Sequence, residues 1–282
     1  MLAKMNFKLG KEKSVLPGFG ITMGFTLFYL SIIVMIPLSM LFIKTFNISL
    51  KEFITTITDR NIVHAYKITF GLSFIAALVN AVFGLIVAWV LVRYKFIGKK
   101  IIDAVVDLPF AMPTAISGIA LAAIYSDKGV IGKYFAEYGI QIAFTPIGIT
   151  IALIFVGLPF VVRTVEPIIE DLDREIEEAA ASLGATRLQC IYKIIFPQLL
   201  PSLLTGFSMA FARALGEYGS VIFIAGNIPN VSEIVPLIIV TKLEQYDYTG
   251  ATSIALLMLI ASFLMLLVIN FLQSWNRKYK DK

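Results

Sequence analysis

Five stretches of this chain run about the width of a bilayer without one charged side chain, and they decide what it can fold into. They are 19–43, 68–92, 108–126, 140–162 and 248–276. A sixth, 199–224, is interrupted only by Arg213 and Glu217. A helix needs about 20 mostly apolar residues to cross a ~30 Å hydrocarbon core. Backbone polar groups in lipid must be satisfied within their own segment. The stretches therefore predict an all-α membrane protein of six transmembrane helices. Composition agrees, since 58% of the 282 residues are hydrophobic.

Lysine and arginine set the orientation. The N-terminal tail (Lys4, Lys8, Lys11, Lys13), the second loop (Arg93, Lys95, Lys99, Lys100), the fourth loop (Arg163, Arg174, Arg187, Lys193) and the C-terminal tail (Arg277, Lys278, Lys280, Lys282) hold 16 basic residues. The three intervening loops hold 7. Basic loops stay in the cytoplasm, so both termini are expected there, as an even number of spans requires. The expected division is a cytoplasmic tail at 1–18, a six-span domain at 19–276 with a large cytoplasmic loop at 163–197, and a second tail at 277–282. The apolar stretch after the first lysines is too long for a signal-peptide core and predicts a retained first span.

The same flanking charges account for the net charge of +5, so nucleic acid is not an expected partner and membrane lipid is. Cys190 is the single cysteine and His64 the single histidine, which excludes an intrachain disulfide and offers no metal set. No cofactor site is expected. The phosphate-cradling pattern G-x-x-x-x-G-K-[ST] is absent, because Tyr134 follows Gly132-Lys133 outside that frame. One histidine, one cysteine and scattered carboxylates do not compose a catalytic set.

The fourth loop is unlike the rest. Glu166, Glu170, Asp171, Asp173, Glu175, Glu177 and Glu178 precede Ala179, Ala180, Ala181 and Leu183, a helix-favouring run. Gly184 follows and suits a left-handed stop. A second helix is expected over 185–195, with Leu188, Ile191, Ile194 and Ile195 near one apolar face. Pro197 and Pro201 mark the start of the fifth span. The layout is Glu178-Ala179-Ala180, three residues, Gly184, nine residues, Ile194, one residue, then Phe196-Pro197. It resembles the cytoplasmic loop by which the membrane subunit of a bacterial ABC importer docks on its ATPase, with Phe196 where leucine is common.

Two further stretches narrow the resemblance: Asp107-Leu108-Pro109-Phe110-Ala111-Met112-Pro113-Thr114-Ala115, and Ala212 to Gly219 followed by Phe223-Ile224-Ala225-Gly226-Asn227-Ile228. Both are similar to permeases of the sulfate/thiosulfate type, and the molybdate permeases are similar but less close in the Ile224-Ala225-Gly226-Asn227-Ile228 stretch. The resemblance implies a type I importer permease fold with a helix–Gly–helix coupling element. It implies separate ATPase subunits, a second, W-type permease chain in a heterodimer, and an extracytoplasmic sulfate-binding protein. It also implies that Glu178, Ala179, Ala180, Gly184, Ile194 and Pro197 belong to the coupling surface.

Arg213 and Glu217 are four apart, hence on one helix face, and Arg213 is expected about 21 Å along the fifth span from Leu199. A charge at that depth costs roughly 2.5–3.5 kcal/mol and is a functional-site candidate. Two readings stand: the pair locks the span to a neighbour or partner, or the guanidinium faces the path of a dianion. Asp107 before Pro109 suits a helix cap at the start of the third span. Pro109 and Pro113 weaken that span and offer a bend for gating. Gly206, Ala210 and Ala214 predict close helix packing on a face bordering the partner subunit. A molybdate or tungstate permease and an ion-coupled secondary transporter are the alternatives, the latter disfavoured by the lack of visible inverted repeats.

Overall fold

The structure is a computed structural model that describes residues 19–278, with side chains through Phe271. The N-terminal tail and Lys280 and Lys282 lie outside the described residues. Among the described residues there are twelve helices and no strand. Helix α1 is Phe19–Phe46, α2 Leu50–Ile57, α3 Arg60–Arg93, α4 Lys99–Ala111, α5 Thr114–Tyr125, α6 Gly132–Ala136 and α7 Pro146–Glu170. Then come α8 Arg174–Ser182, α9 Arg187–Leu215, α10 Val221–Ile224, α11 Val235–Glu244 and α12 Tyr248–Lys278.

Helices α1, α3, α7, α9 and α12 are long and apolar enough to cross a membrane, and α4 with α5 makes a sixth crossing only as a bent pair. The third span is therefore not the straight helix that its composition predicts. Its halves meet at 116°. The break has a local cause. Met112 precedes a proline and takes an extended ψ of 136°, as the proline ring requires of its neighbour. Pro113, with ψ 130°, then starts α5 without an N–H to return to α4.

Both α1 and α9 contain one wide turn, at Ser31–Met35 and Ile191–Ile195. In each case a proline follows two residues later, Pro37 and Pro197. A proline ring clashes with the carbonyl four residues back and leaves it unbonded. The wide turn absorbs this, with Ile36 N–H donating to Ser31 and Phe196 N–H to Ile191, each five residues back. As a result Pro197 does not begin a new helix. The second helix of the 163–197 loop and the fifth span are one rod of 29 residues.

The core lies where α3, α7 and α9 cross. Ala77, Ala88 and Leu91 of α3 meet Val161, Val162, Val165 and Ile169 of α7 and Leu199, Ala210, Phe211 and Leu215 of α9. Small residues set the spacing. A Cβ on Gly84 would stand 2.8 Å from Val161 Cγ1, one on Gly206 2.9 Å from Val161 Cα, and one on Gly157 2.5 Å from the buried Asn80 Nδ2. Gly206, Ala210 and Ala214 are all buried inside this chain, so their face packs on α7 rather than bordering a partner subunit. Between Phe19 and Lys44, by contrast, α1 has no buried residue.

Candidate coupling surface and intramembrane ion pair

The 163–197 loop is built to be stiff. Asp173 Oδ1 accepts the Glu175 N–H at 2.9 Å and starts α8. At the other end Ala185 N–H donates to Ala180 and Gly184 N–H to Ala181, at 3.0 and 2.9 Å. This paired closure needs a left-handed residue, and Gly184 supplies it with φ +83°. Thr186 then opens α9 with a reciprocal cap: its Oγ1 accepts from Gln189 N–H at 3.3 Å, and Gln189 Oε1 accepts from Thr186 N–H at 2.8 Å. The turn between the helices is thus hydrogen-bonded on both flanks.

Of the residues expected on the coupling surface, Glu178, Ala179 and Gly184 are exposed, Ala180 is buried, and Ile194 and Pro197 are half-buried. Leu188 and Ile191 do not share one inward face with Ile195. Leu188 and Ile191 are exposed, and only Ile195 is buried. The exposed apolar residues at the tip are Leu183 (90%), Leu188 and Tyr192. From the sequence Leu183 reads only as a helix former and Leu188 as part of an inward apolar face, and Tyr192 is not singled out, although large apolar residues on a polar knob signal a docking surface. The knob is also tied to the bundle. Arg93, at the end of α3, bonds Glu177 at 2.6 Å and stacks on Trp89, its guanidinium 5.1 Å from the ring centre.

Asp107 does not cap a helix. It lies well inside α4, and both carboxylate oxygens are taken by Arg163 of α7, Oδ1 by Nε at 2.8 Å and Oδ2 by Nη2 at 2.6 Å. The helix start expected here comes one segment later, at Thr114, with Pro113 in the cap position and no side-chain cap. Pro109 is likewise interior to α4 and buried. Arg163, read from the sequence only as a topology charge, also reaches Asp103 Oδ1 at 2.8 Å, the Asp103 carbonyl at 3.1 Å and Glu166 Oε2 at 2.5 Å.

Arg213 and Glu217 do pair, Nη1 to Oε2 at 2.5 Å. They do not share a helix. α9 stops at Leu215, with Gly216 as its C-cap, and Glu217 lies in the turn that follows. Glu217 Oε1 accepts from the Ser220 N–H at 2.8 Å and the Ser220 hydroxyl at 2.9 Å, and these bonds pull the chain off the helical path. The Glu217 side chain is 1% exposed and that of Arg213 32%. The pair itself joins no second long helix among the described residues. The turn does: Gly118 of α5 leaves room for nothing larger against the Ser220 backbone, and Gly219 is equally tight against Thr114.

At the opposite end of α3, about 51 Å from Arg93 at 1.5 Å per residue, a recess of about 290 Å³ is lined by Asp59, Asn61, Glu233, Thr241, Lys242 and Gln245. Burial pushes the Glu233 carboxyl up. With Asp59 and Glu233 on its wall, this recess is poorly suited to an anion.

Comparison with known proteins agrees with this arrangement. The profile of the family described as "Binding-protein-dependent transport system inner membrane component" matches residues 80–279. The sulfate transport system permease protein CysT of Synechococcus elongatus is 50% identical over 255 residues, covering 90% of this chain and 92% of its own. That of Escherichia coli is 45% identical over 263 residues, covering 93% and 95%. Among solved structures, a chain of a bacterial ABC transporter that imports alginate superposes with a TM-score of 0.74 at 18% identity, covering 90% of this chain and 94% of its own. A chain of the MetNI methionine ABC transporter gives 0.55 at 19% identity, covering 76% and 95%.

Proposed function

The chain belongs to the inner membrane component family of binding-protein-dependent transport systems, and from that premise we propose that it is the permease subunit through which an ATP-driven importer brings sulfate into the cell. The observation that carries the docking part of this reading is the knob formed by α8, Gly184 and the first turns of α9. It is closed by backbone bonds on both sides of the glycine, it exposes Leu183, Leu188 and Tyr192, and it continues without interruption into a span. A floppy loop would dissipate a push from a motor; this element transmits it along a rod about 44 Å long.

In this mechanism two ATPase subunits close on ATP and carry the knobs with them. Glu178, Ala179, Ala180 and Gly184 seat the knob, and Ile194 and Pro197 lie where it joins the span. A second permease chain completes the pathway between two such domains. A binding protein delivers the anion on the face opposite the knob, where both chain termini are not. Arg213 stands at the path, its charge held by the buried Glu217 and its outer edge accessible to a tetrahedral dianion such as sulfate or thiosulfate. A conducting site has to release its ligand, so selectivity rests chiefly with the binding protein. The permease contributes no nucleotide chemistry of its own to this cycle.

The test is reconstitution of the permease pair with its ATPase and binding protein in proteoliposomes. Radiolabelled sulfate is expected to accumulate only with ATP inside and binding protein outside, with thiosulfate competing. Preference for molybdate would move the chain to that permease class, and uptake driven by an ion gradient without ATP would overturn the reading.

A further inference from the structure

We propose that Arg163 is a positioning residue, a second tie beside the α9 rod, through which displacement of the coupling knob reaches the turn that carries Glu217, by way of the break at Met112–Pro113. The proposal rests on the docking reading given above. Arg163 belongs to α7, which ends at Glu170 and leads through three residues into α8 of the knob. From α7 its fork crosses to α4 and holds Asp103 through both side chain and carbonyl and Asp107 through both oxygens, while Glu166 steadies the guanidinium from its own helix. Helix α4 otherwise meets α7 through Phe110, whose ring stands edge-on to Phe160 at 5.0 Å, and buries only Val106 and Pro109 along its length. Where Arg163 goes, α4 follows.

The tie leads onward without slack. α4 ends at the 116° break, and α5 beyond it packs closely on the turn that carries Glu217, the Gly118 backbone against the Ser220 backbone and the Thr114 side chain against Gly219. Ser220 in turn holds Glu217 Oε1, whose other oxygen holds Arg213. One contiguous set of contacts therefore runs from the knob to the intramembrane charge pair, and its one fork-shaped, charge-dependent link is Arg163. A lysine carries the same charge, but as a point donor it does not bridge two carboxylates and a carbonyl in fixed geometry.

The test uses the whole importer in proteoliposomes, with Cys190→Ser as background. Spin labels at Glu175→Cys and Ile124→Cys report the knob and the far end of α5. Two variants are compared with the parent: Arg163→Lys, and the isosteric pair Asp103→Asn with Asp107→Asn, which leaves the Arg163–Glu166 contact in place. In both, ATP is expected to move the Glu175 label and loaded binding protein to stimulate hydrolysis as in the parent. The Ile124 label is expected not to respond, and uptake per ATP to fall by about tenfold, within the usual range of coupling between sites. Undiminished uptake with normal movement at Ile124 overturns the tie alone. Failure of both variants to assemble, or a parallel loss of hydrolysis and uptake, also overturns it, because the cluster is then a folding staple. A Glu175 label that ignores ATP in the parent overturns the docking reading and the tie with it.

Discussion

Arg213 and Glu217 show how unequal the two halves of one ion pair can be. Glu217 is almost wholly enclosed and its carboxylate has three donors, whereas Arg213 keeps a third of its side chain exposed. Removing a partner from a fully buried pair costs about 3–5 kcal/mol. With one partner this open to its surroundings, Arg213→Ala is expected to destabilise the purified permease by less, about 2 kcal/mol, measurable as a lowered unfolding midpoint in detergent. Arg213→Lys keeps the charge beside Glu217 and is expected to assemble normally while sulfate uptake falls. Lost assembly instead would make the pair purely structural. Outside the membrane, Asp247 behaves differently. The Lys242 ammonium, 2.7 Å away, and then the Gly250 N–H hold its carboxyl below the ordinary aspartate value of 3.8. A lowered folded pKa contributes stability above the unfolded value and loses it as pH falls through the folded one. The contact joining α11 to α12 is therefore expected to persist under mild acid and to be lost only as pH drops below the usual carboxylate range. The carboxyl resonance of Asp247 in labelled protein reads this directly, and a midpoint at or above 3.8 would contradict it.

At the scale of elements, the two turns that matter most are those at Gly184 and at the α5 contact. Gly184 has φ +83°, a region that costs a residue with a Cβ roughly 1–2 kcal/mol. Gly184→Val is expected to weaken retention of the ATPase on the purified permease, with Gly184→Asn milder because asparagine tolerates that conformation. Co-purification of the ATPase, scored against an unchanged permease yield, measures it. Gly118→Ala acts elsewhere. The added methyl would collide with the Ser220 backbone, which has no flexible side chain to yield. ATPase retention is expected to be normal and uptake to drop. Normal uptake in this variant would show that α5 and the turn separate freely. The short helices follow the same logic of local cause. α4 and α5 are two pieces because Met112 must extend before Pro113, and Pro113→Ala is expected to slow uptake by letting α4 extend across the break.

At the scale of the whole molecule, a helical knob is continuous with a long rod of the membrane domain. α3 runs from the knob to the remote end, α9 from the knob to a stop beside Ala76 partway along α3, and the core where they cross α7 is packed through Gly84, Gly157 and Gly206. Close packing of this kind moves as a body rather than deforming. A cysteine at Leu183 is expected to crosslink to the ATPase in membranes in an ATP-dependent manner, and the same label at Asn61, at the far end of α3, is expected not to. A cytoplasm-active reporter fused after Lys282 is expected to be active, and its inactivity would reverse the proposed orientation.

Much of this was legible from the residues alone. Apolar runs predict spans because lipid satisfies no backbone polar group. Gly184 announces the turn in the knob because a left-handed stop acts over one turn of chain, whereas Asp173 read only as one of a run of acids, and Pro197 as the start of a span whose helix begins ten residues earlier. The resemblance in the motifs supplied the importer class. What the sequence left out are the consequences of residues far apart in the chain. Asp107 looked like a cap because its partner, Arg163, lies 56 positions away, and Arg93 and Arg163 looked like topology charges until Glu177 and the α4 carboxylates came to meet them. The fifth span was expected to run to Ile224, yet it ends at Leu215, because Ser220 binds Glu217 Oε1 in the turn while Oε2 holds Arg213, and α5 closes over that turn. Periodicity and capping are properties of neighbours along the chain, so a sequence carries them openly. Which charge meets which, and where a span breaks into a working turn, is settled only when helices pack and each buried polar group finds its partner across the fold.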